Sequence, residues 1–180
     1  MFPSLDDVRH IKEDKIHIGD VYNRLPADSA SSLLPFHALT GCDVTSDISN
    51  HSKRSAWKVF KDIHTLLKNL GVGDFTNEIF KSAEKFVCRI YNVEQTDSID
   101  EARHIMFYKS AKPEALPPTS DARRFHLLRV HYQTMIWRNS HSATPELPTA
   151  GTMGWKRCEG GLDPISMSPS PIPAEWMKPS

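Results

Sequence analysis

The chain has no uninterrupted apolar run of about 18 residues, so no segment reads as a membrane-spanning helix. Its opening residues, Met1-Phe2-Pro3-Ser4-Leu5-Asp6-Asp7, lack a basic stretch followed by an apolar one and do not read as a secretory signal. Cysteine is scarce. Cys42, Cys88 and Cys158 form an odd set without a close pair, which argues against a disulfide framework and against a zinc motif. A reducing, intracellular setting is the expectation, with nucleus and cytoplasm not distinguished. An excess of either charge is also lacking. Lys+Arg and Asp+Glu both number 22, so only local patches can argue for nucleic acid. The nine histidines are scattered without the i, i+4 spacing of a helical metal pair, and read as surface or capping groups. No internal repeat is visible.

What is present is helical periodicity. Residues 1–28 are polar and expected to be weakly ordered, apart from one short alternating stretch, Lys15 to Val21, that could form a strand. Ser29 to Leu39 reads as a short helix that Pro35 should bend or break. Ser52 to Leu70 is the clearest helix, with Ser52 as N-cap and Gly71 as the stop. On it Ala56, Val59, Phe60, Ile63, Leu66, Leu67 and Leu70 fall within an arc of about 120°. Phe86, Ile90, Tyr132 and Ile136 of later helices are the expected cover. Arg54, Lys58, Lys61 and Lys68 lie opposite. Asn77 to Tyr91 is a second amphipathic helix. Ser98-Ile99-Asp100-Glu101 has the form of a capping box opening a third, to about Lys109. Pro113, Pro117 and Pro118 enforce an extended loop. Thr119 or Ser120 then caps a fourth helix, reaching Arg138, with a main stripe of Phe125, Leu128, Tyr132, Met135 and Ile136. Leu127, Val130 and Trp137 lie off that stripe, which implies burial on more than one side. Residues 140–180 hold seven of the 13 prolines and read as an extended tail anchored by Trp155, Leu162, Ile165, Trp176 and Met177. The expected fold is therefore mostly α: a small helical domain over residues 29–139, with at most one or two short strands.

One tract carries chemistry. Pro35-Phe36-His37-Ala38-Leu39-Thr40-Gly41-Cys42-Asp43-Val44-Thr45-Ser46, followed by Ala56-Trp57-Lys58, resembles a group of animal proteins related to mobile elements. Those chains carry an L-P-x-H-A-L-T-G-C-D-T-T-S tract, a Gly-x-Gly-Lys-Lys loop and then A-W-K. Asp100-Glu101-Ala102-Arg103, Leu116-Pro117-Pro118-Thr119, Pro145-Glu146-Leu147-Pro148 and Gly154-Trp155 match more weakly, so the likeness spans about residues 33–155. The family's tract in turn is similar to that of flap endonucleases and other PIN-like nucleases. There, acidic residues at strand ends hold divalent metal and a Gly-rich turn grips a DNA phosphate. The resemblance implies Asp43 as catalytic and metal-binding residue, Asp47 as a second metal ligand, and Lys53 and Arg54 as phosphate-gripping groups. Mg would be the cofactor of an active nuclease; otherwise none is expected. The fold would be the C-terminal part of a truncated PIN-like α/β fold.

Two departures weigh against catalysis. The acidic pair Asp6-Asp7 follows no apolar strand, unlike the upstream acidic pair of longer relatives. The loop glycines are replaced by Asn50-His51-Ser52, which should make positive φ and close phosphate approach difficult. A metal-dependent cut needs clustered carboxylates. Asp6, Asp7, Asp20 and Asp28 are the only candidates to fold back toward Asp43. Asp43 can equally be a turn or cap residue. Lys53, Arg54, Lys58, Lys61 and Lys68 are the candidate nucleic-acid contacts, weighed against a solvated helix face. Cys42 and His37 lack an orienting third group for a thiol nucleophile. Trp57 reads as core edge rather than a base-stacking platform. Three readings follow: an inactive nuclease-like fragment from a mobile element, a small helical module binding nucleic acid or protein, or a nuclease completed by another chain.

Overall fold

The computed structural model describes residues 25–109 and 112–168, with residue 23. The short strand expected at Lys15 to Val21, the carboxylates Asp6, Asp7 and Asp20, and the anchors Trp176 and Met177 lie outside the described residues. Among the described residues five α-helices precede one small hairpin. They are α1 (Ala30–Leu39), α2 (Lys53–Ile63), α3 (Asn77–Ile90), α4 (Ile99–Tyr108) and α5 (Ser120–Arg138). Strands β1 (Trp155–Cys158) and β2 (Gly161–Pro164) pair antiparallel, with Cys158 opposite Gly161 across a two-residue turn. The molecule is mostly α, as the periodicity predicts.

Three helices start on hydroxyl caps. Ser52, Thr76 and Thr119 each accept a backbone N–H from three residues on, at Ser55, Ile79 and Ala122. The capping box at α4 does not form. Ser98 makes no side-chain cap. The Ile99 N–H instead donates to Oε1 of the buried Glu84 on α3, at 3.0 Å, and Glu101 pairs with the Thr96 hydroxyl. A tertiary carboxylate has displaced the local one, and α3 and α4 are joined by it.

Pro35 neither breaks nor ends α1. It does remove the N–H that would bond the Ser31 carbonyl. Arg138, at the far end of α5, donates from Nη2 to that same carbonyl at 2.6 Å. The helix therefore keeps its course while its missing bond is supplied from another element.

The helix expected over Ser52 to Leu70 is shorter. It leaves α geometry at Ile63 (φ −133°) and continues as a 3-10 turn, His64–Leu67, before Gly71 reverses the chain at φ +76°. Its buried face survives the change: Ala56, Phe60, Leu67 and Leu70 are buried, and Val59, Ile63 and Leu66 are half-buried. The cover differs in part from expectation. α3 packs on α2 and supplies Phe86 and Ile90, but α1 takes the place assigned to Tyr132 and Ile136. Phe36 sits 4.7 Å from Phe60 and 6.4 Å from Phe86 between ring centroids, and Trp57 stacks on Phe60 at 4.8 Å. Trp57 is thus core edge. Each fully buried phenylalanine contributes about 2–3 kcal/mol of burial free energy.

The face buried by α5 also differs from the expected stripe. Leu127, Val130 and Thr134 are fully buried, while Phe125, Leu128, Tyr132, Met135 and Ile136 are half-buried. The buried face carries Arg123, His126, Arg129 and His131 as well. The second buried side expected from Leu127 and Val130 is present, but its polar members lie outside what hydrophobic periodicity can find. His131 shows how the polar groups are housed. Its Nδ1 accepts the Gly71 N–H and its Nε2 donates to the Gly73 carbonyl, both at 2.9 Å. Three histidines expected as surface or capping groups, His64, His126 and His131, are buried.

The described part of the tail is anchored along α5. Arg129 donates from Nη1 to the carbonyls of Gly154 (3.2 Å) and Ile165 (2.6 Å), and its guanidinium lies over the Trp155 ring. Ser168 donates from its backbone and hydroxyl to Asp121. Gly154, at φ +81°, lies so close to the Phe125 carbonyl that a Cβ would come within 2.7 Å of it.

Candidate functional site

The tract Pro35 to Ser46 forms the second half of α1 and the turn that leaves it. The last turn of a helix leaves carbonyls without partners. Here the Phe36 and Ala38 carbonyls, met by the N–H groups of Thr40 and Gly41, each take a hydroxyl as well. Thr40 Oγ1 donates to the Phe36 carbonyl at 2.7 Å, and Thr45 Oγ1 to that of Ala38 at 2.6 Å. Gly41 turns the chain at φ +99°. A Cβ there would meet the Asp47 backbone at 2.9 Å, which explains the glycine. Cys42 closes the loop, with its N–H on the Thr45 carbonyl and its Sγ 3.0 Å from Thr45 Oγ1.

Lys53, the first residue of α2, completes this cap. Its Nζ donates to the His37 carbonyl (3.0 Å), Thr40 Oγ1 (3.1 Å) and the Gly41 carbonyl. An ammonium has three donors, and all three are committed. Partial burial pulls Lys53 below its ordinary value, with Cys42 and Asp47 pulling it back. Lys53 therefore joins two helices, and the phosphate-gripping role implied by the resemblance has no free donor to act through.

The glycine-poor loop reaches positive φ without glycine: Asn50 adopts φ +61°, contrary to the expectation from its sequence, and its Nδ2 donates to the Glu114 carbonyl at 2.7 Å. Asparagine is among the few residue types that tolerate this region.

Asp43 and Asp47 are both solvent-exposed on the loop. Asp28, the one fold-back candidate within the described residues, is exposed before α1 at φ +58°. Among the described residues no group of three His, Cys, Asp or Glu side chains is placed to hold a metal ion. Cys42 and His37 face different partners, since His37 stacks on Trp137 at 5.5 Å. Burial first, and then Lys53, lowers the His37 pKa, against the opposing pull of Asp43.

The remaining candidates stay together. Arg54, Lys58 and Lys61 follow at i, i+4 and i+7 along α2, all exposed, and no ion pair engages them among the described residues. Lys68 is exposed too, but lies beyond the 3-10 turn and off the α2 stripe.

A second concentration of basic side chains, not among the residues expected from sequence, lies beside α5. A cavity of about 330 Å³ opens between the 46–49 loop, the start of α5 and Ser166, and is lined by Arg123, His126 and Arg129. Burial lowers Arg123 to about 10, against the opposing pull of Tyr91, Cys88 and Glu84, and it remains a cation at neutral pH. His126 is lowered to about 3, by burial first and then by Arg123, and is neutral. The available signal was the recurrence of basic residues every third position, Arg123, His126 and Arg129, which places them on one side of a helix.

No family model matches the chain, and no curated protein or solved structure is significantly similar to it. No helix among the described residues is long and apolar enough to cross a membrane.

Proposed function

We propose that this chain is a catalytically inactive relative of the mobile-element proteins it resembles, retained as a small helical module that holds nucleic acid by its phosphates. The observation that carries this reading is the stripe Arg54, Lys58 and Lys61. Its three cations are exposed on one face of a helix that Ser52 caps and Lys53 fastens to α1. The positive end of α2 adds to that face. The rest of the tract is committed to structure: Lys53, Thr40, Thr45 and Cys42 serve the turn that ends α1. Three free thiols, one of them exposed, suit a reducing intracellular compartment.

The test is fluorescence anisotropy with single-stranded and duplex DNA, paired with a cleavage assay in Mg²⁺ or Mn²⁺. Binding without cleavage is expected. Three phosphate contacts should give a slope of about −3 for log affinity against log salt on duplex DNA, and Lys58→Glu should flatten it by about 1. Absence of binding at low salt would sink the module. Cleavage abolished by Asp43→Asn would overturn the inactive reading.

A further inference from the structure

We propose that the cavity at the start of α5 is a binding site for a phosphate-type oxyanion, held by Arg123 and Arg129. The site is separate from the α2 stripe and does not depend on it.

The argument begins with Arg123. It is 3% exposed, and its Nε makes no hydrogen bond. The ion pairs among the described residues, Lys85–Asp97 and Arg89–Asp97, do not include it. Glu84, a buried carboxylate that acts on Arg123 electrostatically, directs Oε1 to the Ile99 N–H and the Ser120 hydroxyl and makes no hydrogen bond to Arg123 among the described residues. Tyr91, which Arg123 influences electrostatically, also has a buried hydroxyl without a partner. A buried guanidinium is costly to leave unpaired, and a native chain carries such a group where something else completes it. Arg123 lines the cavity, so an anion there can meet its guanidinium, although the Nε atom itself is fully enclosed.

The surroundings specify its chemistry. Arg129 lines the same cavity, and Nη1 alone of its nitrogens bonds to the tail among the described residues. A guanidinium offers five donors and no acceptor, so two of them on one cavity call for an acceptor-rich anion. Ser46, Ser49 and Ser166 add hydroxyls at the mouth. Ala122, in the first turn of α5, brings the positive end of a 19-residue helix to the cavity wall. The volume lies at the lower end of the range for small-ligand sites, enough for a tetrahedral oxyanion with part of its ester group. Asp47 also lines the cavity, from an exposed position. Its carboxylate opposes an anion, which supplies a sensitive test.

The full chain is titrated with inorganic phosphate and with sulfate, against chloride at matched ionic strength. A short single-stranded oligonucleotide is compared with and without a 5′-phosphate. Binding is read by thermal shift and by the Arg123 Nε–H resonance in NMR. The expected result is protection beyond chloride and a shifted Nε–H signal. Asp47→Asn should tighten binding roughly two- to fivefold, and Arg123→Gln should weaken it at least about tenfold. Lys58→Glu should leave the affinity for inorganic phosphate and sulfate unchanged while weakening that for the oligonucleotide, which separates this site from the stripe. Protection by both inorganic anions assigns the site to a free oxyanion. Protection only by the 5′-phosphorylated strand assigns it to a terminal phosphate. No protection beyond chloride by any of the three would overturn the proposal. So would an Asp47→Asn protein that binds no more tightly than wild type; this variant alters an exposed residue and tests the site even if Arg123→Gln does not fold.

Discussion

The turn between α1 and α2 and the cavity beside α5 handle buried polar groups in opposite ways. At the turn, Thr40, Thr45, Cys42 and Lys53 satisfy one another and the helix end. At the cavity, Arg123 is buried with its Nε unpartnered and no acid paired with it among the described residues. The first region holds the recognisable motif and the second holds none. The tract ends a helix well, and Gly41, Thr45 and Lys53 all have structural reasons to be where they are. An unsatisfied buried cation has no such reason, and its cost to folding directs attention to binding.

His126 joins the two regions, and it gives the largest expected effect. Its Nε2 lies 3.3 Å from the carbonyl of Leu39, the last residue of α1, while its ring lines the cavity. Folding lowers its pKa from the ordinary 6.5 to about 3. The unfolded chain therefore takes up a proton below pH 6.5 that the folded chain refuses. Stability from this group is full above pH 6.5 and falls as pH drops toward 3. The loss is on the order of 1.4 kcal/mol per pH unit within the window. His37, His51 and His131 are lowered as well and add in the same direction. Urea unfolding at pH 7, 5.5 and 4.5 should show a steep decline that His126→Gln makes shallower. An equal decline in the variant would mean that the two regions are not coupled through this ring.

The next effect has opposite signs in the two regions. Arg123→Met replaces a buried cation that has no ion-pair partner among the described residues by an apolar chain of similar length. It should stabilise the protein by about 1–3 kcal/mol without added anion. Lys53→Met leaves the carbonyls of His37 and Gly41 without their donor and should destabilise it by about 1–2 kcal/mol. Melting curves of the two variants beside wild type decide the matter. If Arg123→Met melts lower, Arg123 is structural like Lys53 and the contrast fails. If Lys53→Met keeps its stability but loses DNA affinity, Lys53 is a phosphate contact after all.

How much of this was legible depended on where the information lay. The extents of α3 and α5 followed from local periodicity, and for α5 also from the hydroxyl residues at its start. So did the Ser52 cap and the core placement of Phe60 and Phe86. The features that escaped detection are those decided by partners distant in sequence. Glu84 caps α4 from 15 residues away, and His131 satisfies Gly71 from 60 away. The polar buried face of α5 reads as solvent-facing until the Leu39, Gly154 and Ile165 carbonyls are seen to meet it. The shortening of α2 at Ile63 had no local signal, because its apolar arc continues through Leu70 in either geometry. Of the candidate site, the shared stripe of Arg54, Lys58 and Lys61 was readable from spacing. The commitment of Lys53 to α1 was not.

The smallest effect tests whether α1 depends on α5 for its integrity. Pro35 deprives the Ser31 carbonyl of its helical donor, and Arg138 supplies another at 2.6 Å. Arg138→Leu alone should cost about 0.5–1.5 kcal/mol, since a charged donor to an exposed carbonyl competes with water. Pro35→Ala restores the N–H and makes the arginine redundant at that carbonyl, while removing a buried ring from the helix face. The single effect of Pro35→Ala can therefore take either sign, but the pair has a definite signature. In the Pro35→Ala background the cost of Arg138→Leu should shrink to a few tenths of a kcal/mol, giving a coupling of about 0.5–1 kcal/mol in a double-mutant cycle. Additive effects would mean that the Arg138 bond contributes nothing particular to the proline-containing helix. A coupling of the expected size would place a second long-range cation, after Lys53, among the groups that complete α1. It would leave Arg123 as the buried arginine whose partner is still to be supplied.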